Sequence, residues 1–265
     1  MTALRGKRYW VVGASEGLGR AVSEKLSARG VRLALSSRSE ERLRSLADSL
    51  PTEATVHPLD VTDRQSVVDA AQAIGAVDGV IVLTGVYWPM CATEFDAEQV
   101  EMMCDVNFTG TARVLSTVVP GFAARGSGHI VLTGSLSGFR GLPSAIGYGA
   151  SKAGMMHLAE NLQAEFVNTG VKVQLMNPGF IKTRLTDKNS FNMPFLMTPD
   201  DAAEKFVAAM ETNRFQSNFP RLFSWFFRGA NLLPAWAYYK LVGTSPAKPK
   251  DARQPSGQSR ASETS

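Results

Sequence analysis

The sequence predicts an α/β fold, a doubly wound parallel sheet with helices on both faces. Two observations carry this. Short apolar runs at Tyr9–Val12, Arg32–Ser36, Val80–Leu83, Ile130–Thr133 and Val171–Met176 alternate with helix-length segments, the rhythm of repeated βαβ units. Within Val80-Ile81-Val82-Leu83 hydrophobicity is continuous rather than alternating, which marks a strand covered on both faces. With 265 residues, 44% hydrophobic and 20% charged, the chain can bury a sizeable single core, and its composition does not change before about residue 215.

The first strand runs into Gly13-Ala14-Ser15-Glu16-Gly17-Leu18-Gly19, and a helix-like segment follows to Arg29. Glycines at this spacing let the backbone turn sharply and approach a pyrophosphate, whose charge meets the free N–H groups and positive dipole end of the following helix. The plainer alternative is a strand-to-helix turn with incidental glycines. On the first reading Gly13, Ser15, Gly17, Leu18 and Gly19 cradle a dinucleotide. The second strand ends Leu35-Ser36-Ser37-Arg38, where a site selecting NAD would offer an acid to the ribose hydroxyls. Arg38 suits bidentate pairing with a 2′-phosphate, with Ser37 and Ser15 as hydroxyl donors, so NADP(H) is expected, although Glu16 nearby would repel a phosphate. Further along, Thr62 with Gln65 reads as a capping box, and Thr198-Pro199 as a cap before a first-turn proline.

Tyr148 and Lys152 stand four apart, on one face of a helix running through them. Alone, such a pair is often an ordinary surface arrangement. Placed after the glycine loop, it makes the chain resemble the short-chain dehydrogenase/reductase family, whose pattern is G-x-x-x-G-x-G, a serine about 13 residues before the tyrosine, and Y-x-x-x-K. Ser135 occupies the serine position. Asp60-Val61 matches the adenine-contacting pair, Asn107 the mid-helix catalytic asparagine, Gly85 the glycine after the fourth strand, and Pro178-Gly179 with Thr183 the segment that closes on the nicotinamide. The resemblance spans roughly residues 7 to 211 and implies a single-domain Rossmann-type sheet.

It also implies hydride transfer, for which these residue types make physical sense. Hydride added at a carbonyl carbon leaves an alkoxide that must be protonated as it forms. Tyr148 would donate that proton, and poising a phenol near neutrality takes about three pK units, or ~4 kcal/mol. Lys152 and the oxidised nicotinamide would supply this electrostatically, Ser135 would hold the carbonyl oxygen, and Asn107 would anchor a water relaying protons to Lys152. Two positions depart from the pattern: Leu83 replaces the asparagine that braces the central strand, and Val12 the threonine before the first glycine. Both concern scaffold hydrogen bonds. The expected function is NADP(H)-dependent reduction of a carbonyl to an alcohol, or the reverse, on a hydrophobic or lipid-like substrate. The alternative is a catalytically weak nucleotide-binding sensor or scaffold of the same fold.

The C-terminal part differs in character. Phe219 to Gly243 holds eight of the chain's 23 aromatic residues, together with Arg221, Arg228 and Lys240 and no acid. Phe219, Leu222, Phe223, Phe226, Phe227 and Ala230 recur at helical spacing opposite Arg221, Ser224 and Arg228, and Pro234 opens a second short helix through Trp236, Tyr239 and Lys240. Packing onto the domain or a subunit interface, a lid over an apolar site, and an amphipathic anchor giving 219–243 peripheral membrane contact are the three readings. Met193, Phe195, Leu196 and Met197 stand where the family has its substrate loop, and either line a bulky apolar site or simply pack in the core. The expected limits are 1–213 for the dinucleotide-binding and catalytic domain, 214–243 for the helical extension and 244–265 for a disordered polar tail.

The formal net charge is +4, with much of the excess in the tail, and elsewhere Lys and Arg are scattered among acids, so a nucleic-acid surface is not expected. Cys91 and Cys104 are too few for a disulfide framework, and His57, His129 and His157 lack partners at metal-ligand spacing. The strand-like start leaves no room for a signal peptide, so a cytoplasmic place is expected, peripheral to a membrane if the anchor reading holds. Relatives in the family commonly form homodimers or homotetramers, which is the expectation here too.

Overall fold

The computed structural model describes residues 4–188, 193–220, 229–230 and 232–243. The strands are β1 (Arg8–Val12), β2 (Arg32–Ser36), β3 (Ala54–Val56), β4 (Gly79–Val82), β5 (Ser127–Thr133), β6 (Gly170–Pro178) and β7 (Gln216–Phe219), all in one sheet of order β3-β2-β1-β4-β5-β6-β7. Every pairing is parallel. The helices are α1 (Gly17–Ala28), α2 (Glu40–Ser49), α3 (Arg64–Ile74), α4 (Ala97–Cys104), α5 (Gly110–Arg125), α6 (Ile146–Phe166), α7 (Pro199–Met210) and α8 (Ala235–Val242).

Two apolar layers explain the unbroken hydrophobic strands. Trp10, Val12, Val80 and Val82 turn to one face, against Val67 of α3, Val114 of α5 and Met155 of α6. Tyr9, Val11 and Ile81 turn to the other, against Val22 of α1, Leu43 of α2 and Phe206 of α7. Successive side chains of a strand point to opposite faces, so burial on both leaves no polar alternation.

β3 and β7 escape a search for apolar runs because both are edge strands. The three residues of β3 are only half-buried, and β7 reads Gln-Ser-Asn-Phe. β7 corrects the domain limit expected at 213, since it hydrogen-bonds to β6 and completes the sheet. What sets the boundary there is backbone pairing, which composition does not report. The N-cap of α3 is also corrected. Asp63, not Thr62, accepts from the Gln65 N–H at 2.8 Å, while the Thr62 hydroxyl donates to Asp60 Oδ1 at 2.8 Å. The cap of α7 is as read: Thr198 Oγ1 accepts from Asp201 N at 3.1 Å, with Pro199 next. α8 follows Pro234 as expected. The helical spacing read from Phe219 to Ala230 is corrected at its start, since Phe219 ends β7 and is buried there; residues 221–228 and the tail 244–265 lie outside the described residues.

One buried polar chain ties the sheet to the α7–β7 connection. The Gln174 amide donates to the carbonyls of Ala209, Thr212 and Arg214, so its Oε1 faces His129 as an acceptor. His129 therefore carries its proton on Nε2, donating at 2.9 Å, and its Nδ1 accepts from the Tyr9 hydroxyl at 2.7 Å. Burial, with the nearby Lys172 charge, pushes the His129 pKa down to about 3. A folded-state value below the unfolded one means that stability is complete above about pH 6.5 and is lost as pH falls toward 3. Lys172 is likewise lowered, to about 8, by burial, so its contribution changes only in the alkaline range. Thermal unfolding followed from pH 7 to 4.5 is expected to show a falling midpoint, with His129 costing up to about 1 kcal/mol per pH unit. His129→Gln, which keeps a donor and an acceptor, should flatten that slope, and an unchanged slope would remove His129 as its cause.

Candidate active site

The strand order reverses direction between β1 and β4, and at such a switch point the connections leave toward opposite faces and open a crevice at the carboxyl ends of the strands. A cleft of about 580 Å³ lies there. All the residues expected at the site line it except Asn107.

The glycine loop forms the floor. Gly13 has φ +95°, and a Cβ there would stand 2.8 Å from Thr84 N. At Gly19 a Cβ would stand 1.9 Å from the Gly13 carbonyl oxygen. The first approach presses the β1–α1 turn onto the chain leaving β4, the second closes the turn on itself, and the first turn of α1 lines the cleft. Thr183 reaches the loop from the segment after β6, within 3.1 Å of where a Gly17 side chain would begin. On the adenosine side Ser37 and Asp60 line the wall, and Arg38 is exposed at its rim. The Asp60 carboxylate is occupied by Thr62, accepting from its N–H and hydroxyl. Val61 packs beneath, against Gly110.

Reasoning from sequence missed Arg42, in the first turn of α2, which lines the same wall four residues beyond Arg38. A second arginine so soon after Arg38 was the available signal. Glu16 is held by two guanidinium groups, Arg42 at 3.3 Å and Arg184 from the segment after β6. Its charge is thus offset by two cations, which weakens the repulsion expected toward a phosphate.

At the other end, α6 brings Tyr148 and Lys152 together. Lys152 is 4% exposed, and its ammonium donates to the Thr133 carbonyl at 2.9 Å. Burial lowers its pKa to about 8. Ser135 lies just past β5 and caps a short helical turn, Leu136–Gly138. Its oxygen accepts from both the N–H and the hydroxyl of Ser137, at 3.2 and 2.9 Å, which leaves its own proton for Tyr148. Burial pushes the Tyr148 pKa up to about 12; the Ser135 hydrogen bond opposes this and Tyr87 adds to it. The Tyr87 ring packs edge-on to Tyr148 at 4.9 Å, a contact the sequence reading did not foresee.

Asn107 lies mid-helix, behind the lining of the cleft. It sits in a π-helical turn, Asp105–Thr109, between α4 and α5, and is fully buried. Its Oδ1 accepts from Val86 N at 2.8 Å, and its Nδ2 donates to Val86 O at 3.1 Å and Ser151 Oγ at 3.0 Å. Ser151 donates in turn to the Tyr148 carbonyl. The side chain braces the strand end after Gly85 against α6. Met193, Phe195, Leu196 and Met197 do not line the cleft; Met197 is buried in the α7-side core. Leu83 packs partly against the same layer, and its N–H donates to Val12 O at 2.8 Å, so backbone pairing and apolar contact brace this strand end.

The cleft fits a nicotinamide dinucleotide in its details. The Thr84 and Thr133 hydroxyls line it and, among the described residues, have no hydrogen-bond partner although buried. Buried hydroxyls without partners are costly unless a ligand satisfies them. The glycine floor and the Arg38 rim complete the donor set.

The family profile described as short chain dehydrogenase matches residues 7–193. The chain belongs to the short-chain dehydrogenase/reductase family. It is an oxidoreductase of that family. An uncharacterized oxidoreductase of Myxococcus xanthus is 37% identical over 231 residues, which cover 84% of this chain and 91% of the relative. Among solved structures, an alcohol dehydrogenase of the archaeon Thermococcus sibiricus, complexed with 5-hydroxy-NADP, is 25% identical with TM-score 0.73, covering 80% of this chain and 95% of its own. A variant of actinorhodin polyketide ketoreductase with NADPH is also 25% identical with TM-score 0.73, covering 83% and 97%. In this short-chain dehydrogenase/reductase, Asn107→Ala is expected to cost about 2–3 kcal/mol by leaving the Val86 peptide unsatisfied. Denaturant unfolding reads this directly, and a loss under about 0.5 kcal/mol would show that water replaces the brace.

Proposed function

We propose that this oxidoreductase interconverts a carbonyl and an alcohol with NADP(H), on an apolar substrate. The observation that carries the proposal is the convergence of Ser135, Tyr148 and Lys152, its ammonium held by the Thr133 carbonyl, in the cleft that Arg38 and the glycine loop also line. A bound nicotinamide supplies or accepts the hydride. In the reductive direction the phenol of Tyr148 gives its proton to the carbonyl oxygen as hydride reaches carbon, so an alcohol and a phenolate result. A phenol with its pKa near 12 is fully protonated at neutral pH, the form reduction requires. The Lys152 charge stabilises the phenolate, and Ser135 holds the carbonyl oxygen against the phenol. Tyr87, Leu142, Pro143 and Phe180 give the wall near Tyr148 its apolar character, which favours a hydrophobic substrate. The ordered Ser135–Tyr148–Lys152 geometry weighs against a noncatalytic sensor.

The 2′-phosphate preference rests on Arg38, helped by Arg42, and NADP-type ligands in two of the similar structures support it. Arg38→Ala should weaken NADPH binding about tenfold and leave NADH nearly unchanged. Fluorescence titration checks this, and equal losses for the two nucleotides would overturn the assignment. Tyr148→Phe should lower turnover about 10³-fold while NADPH binding persists; a variant that still turns over would remove the proton-donor role. Because Lys152 titrates near 8, kcat/KM for reduction is expected to fall as pH rises through about 8. A flat profile to pH 9.5 would mean the ammonium contributes little.

A further inference from the structure

We infer that α8 is an interfacial helix that seats the protein on an anionic lipid surface, with one end of the cleft beside that surface. Its orientation on the body is set by Tyr238, which is 1% exposed and whose hydroxyl donates to the Gly141 carbonyl at 3.0 Å. The Arg140 guanidinium lies 4.1 Å from the centre of the Tyr238 ring and donates to the carbonyls of Ala230 and Leu233 at 2.8 and 2.9 Å. With Tyr238 facing inward, a turn of about 100° per residue aims Trp236 and Lys240 outward, each about 160° from it, and places Tyr239 and Leu241 on the flanks. Trp236 is 75% exposed, Leu241 61% and Leu232, just before the helix, 87%. Apolar groups clustered this way mark a contact surface rather than scattered exposure.

The chemistry of the segment selects the partner. Residues 219–243 include Arg221, Arg228 and Lys240 and no Asp or Glu. Two-fold pairing of α8 with a second copy would set the outward Lys240 against a segment that holds cations and no acid. An anionic bilayer surface takes both components: indole and aliphatic groups enter the headgroup boundary, and cations meet lipid charge. The place of the helix adds a third observation. A groove of about 540 Å³ between Tyr239 and Val242 of α8 and the residues around Phe139 and Ile146 shares Leu142, Pro143 and Ala145 with the cleft. The segment around Leu142 thus walls both the groove beneath α8 and the cleft that holds Tyr148.

The test is co-sedimentation of the full chain with vesicles, one set of phosphatidylcholine alone and one with about a third phosphatidylglycerol. The full chain should bind the anionic set, with a blue shift in tryptophan emission. Trp236→Ser combined with Leu241→Ser should lower the partition coefficient about tenfold or more, with NADPH binding intact as the check on folding. Lys240→Glu should weaken binding to the anionic set alone, and Val167→Ser, at another exposed apolar residue, should change nothing. No binding by the full chain, or undiminished binding by the double variant, would overturn the inference. So would a dimer in solution that the double variant dissolves without changing vesicle binding, which would assign the surface to a second copy. Because vesicle binding is read without turnover, it stands or falls apart from the proposed reaction.

Discussion

The hydrogen bond from the Lys152 ammonium to the Thr133 carbonyl joins α6 to the end of β5, and the arrangement of the cleft follows from it. A buried cation costs several kcal/mol unless it is held by acceptors or shares a site with anionic charge. Here a strand carbonyl holds it at a depth where its pKa falls to about 8, so the lysine is poised to lose or keep a proton near physiological pH. Once α6 is fixed at this point, Tyr148 lies one turn earlier, within reach of the Ser135 hydroxyl, which is oriented by the Ser137 donors. On the far side of α6, Ser151 and Asn107 carry the restraint to the Val86 peptide. The reacting groups therefore sit on rigid elements and are braced from behind by hydrogen bonds.

The opposite end of the cleft is governed by charge rather than burial. Glu16 draws Arg42 from α2 and Arg184 from the segment after β6 to the glycine loop, and these pairs are partly exposed. At such exposure each pair is worth little as a stabilising contact. Their consequence is positional: guanidinium groups gather where a phosphate would lie, while the carboxylate that would oppose it is already paired. Arg38, with no acid drawn to it by a short ion pair among the described residues, stays available at the rim.

How much was legible follows from how far each signal reaches along the chain. The five central strands, the glycine loop and the Tyr148–Lys152 pair were readable because periodicity and spacing are properties of contiguous residues. β3 and β7 were not, since an edge strand is held by backbone pairing and carries no long apolar run. The cap of α3 shifted by one residue because Asp63 outcompetes a threonine already bonded to Asp60. Asn107 was found by its position in a pattern, while its hydrogen bonds to Val86 and Ser151, 21 and 44 positions away, were not legible.

By itself, then, the sequence determined the sheet and its helical cover, the nucleotide-binding turn, the order of the reactive residues and the unusual aromatic, acid-free segment near the C-terminus. Only the tertiary structure decided which charges meet at Glu16, that Tyr87 packs edge-on to Tyr148, that Met197 belongs to the core, and which face of α8 turns outward. Each of these depends on crossovers that bring together residues tens to more than a hundred positions apart. Packing of the sheet against both helical layers sets those distances, and no local pattern encodes them.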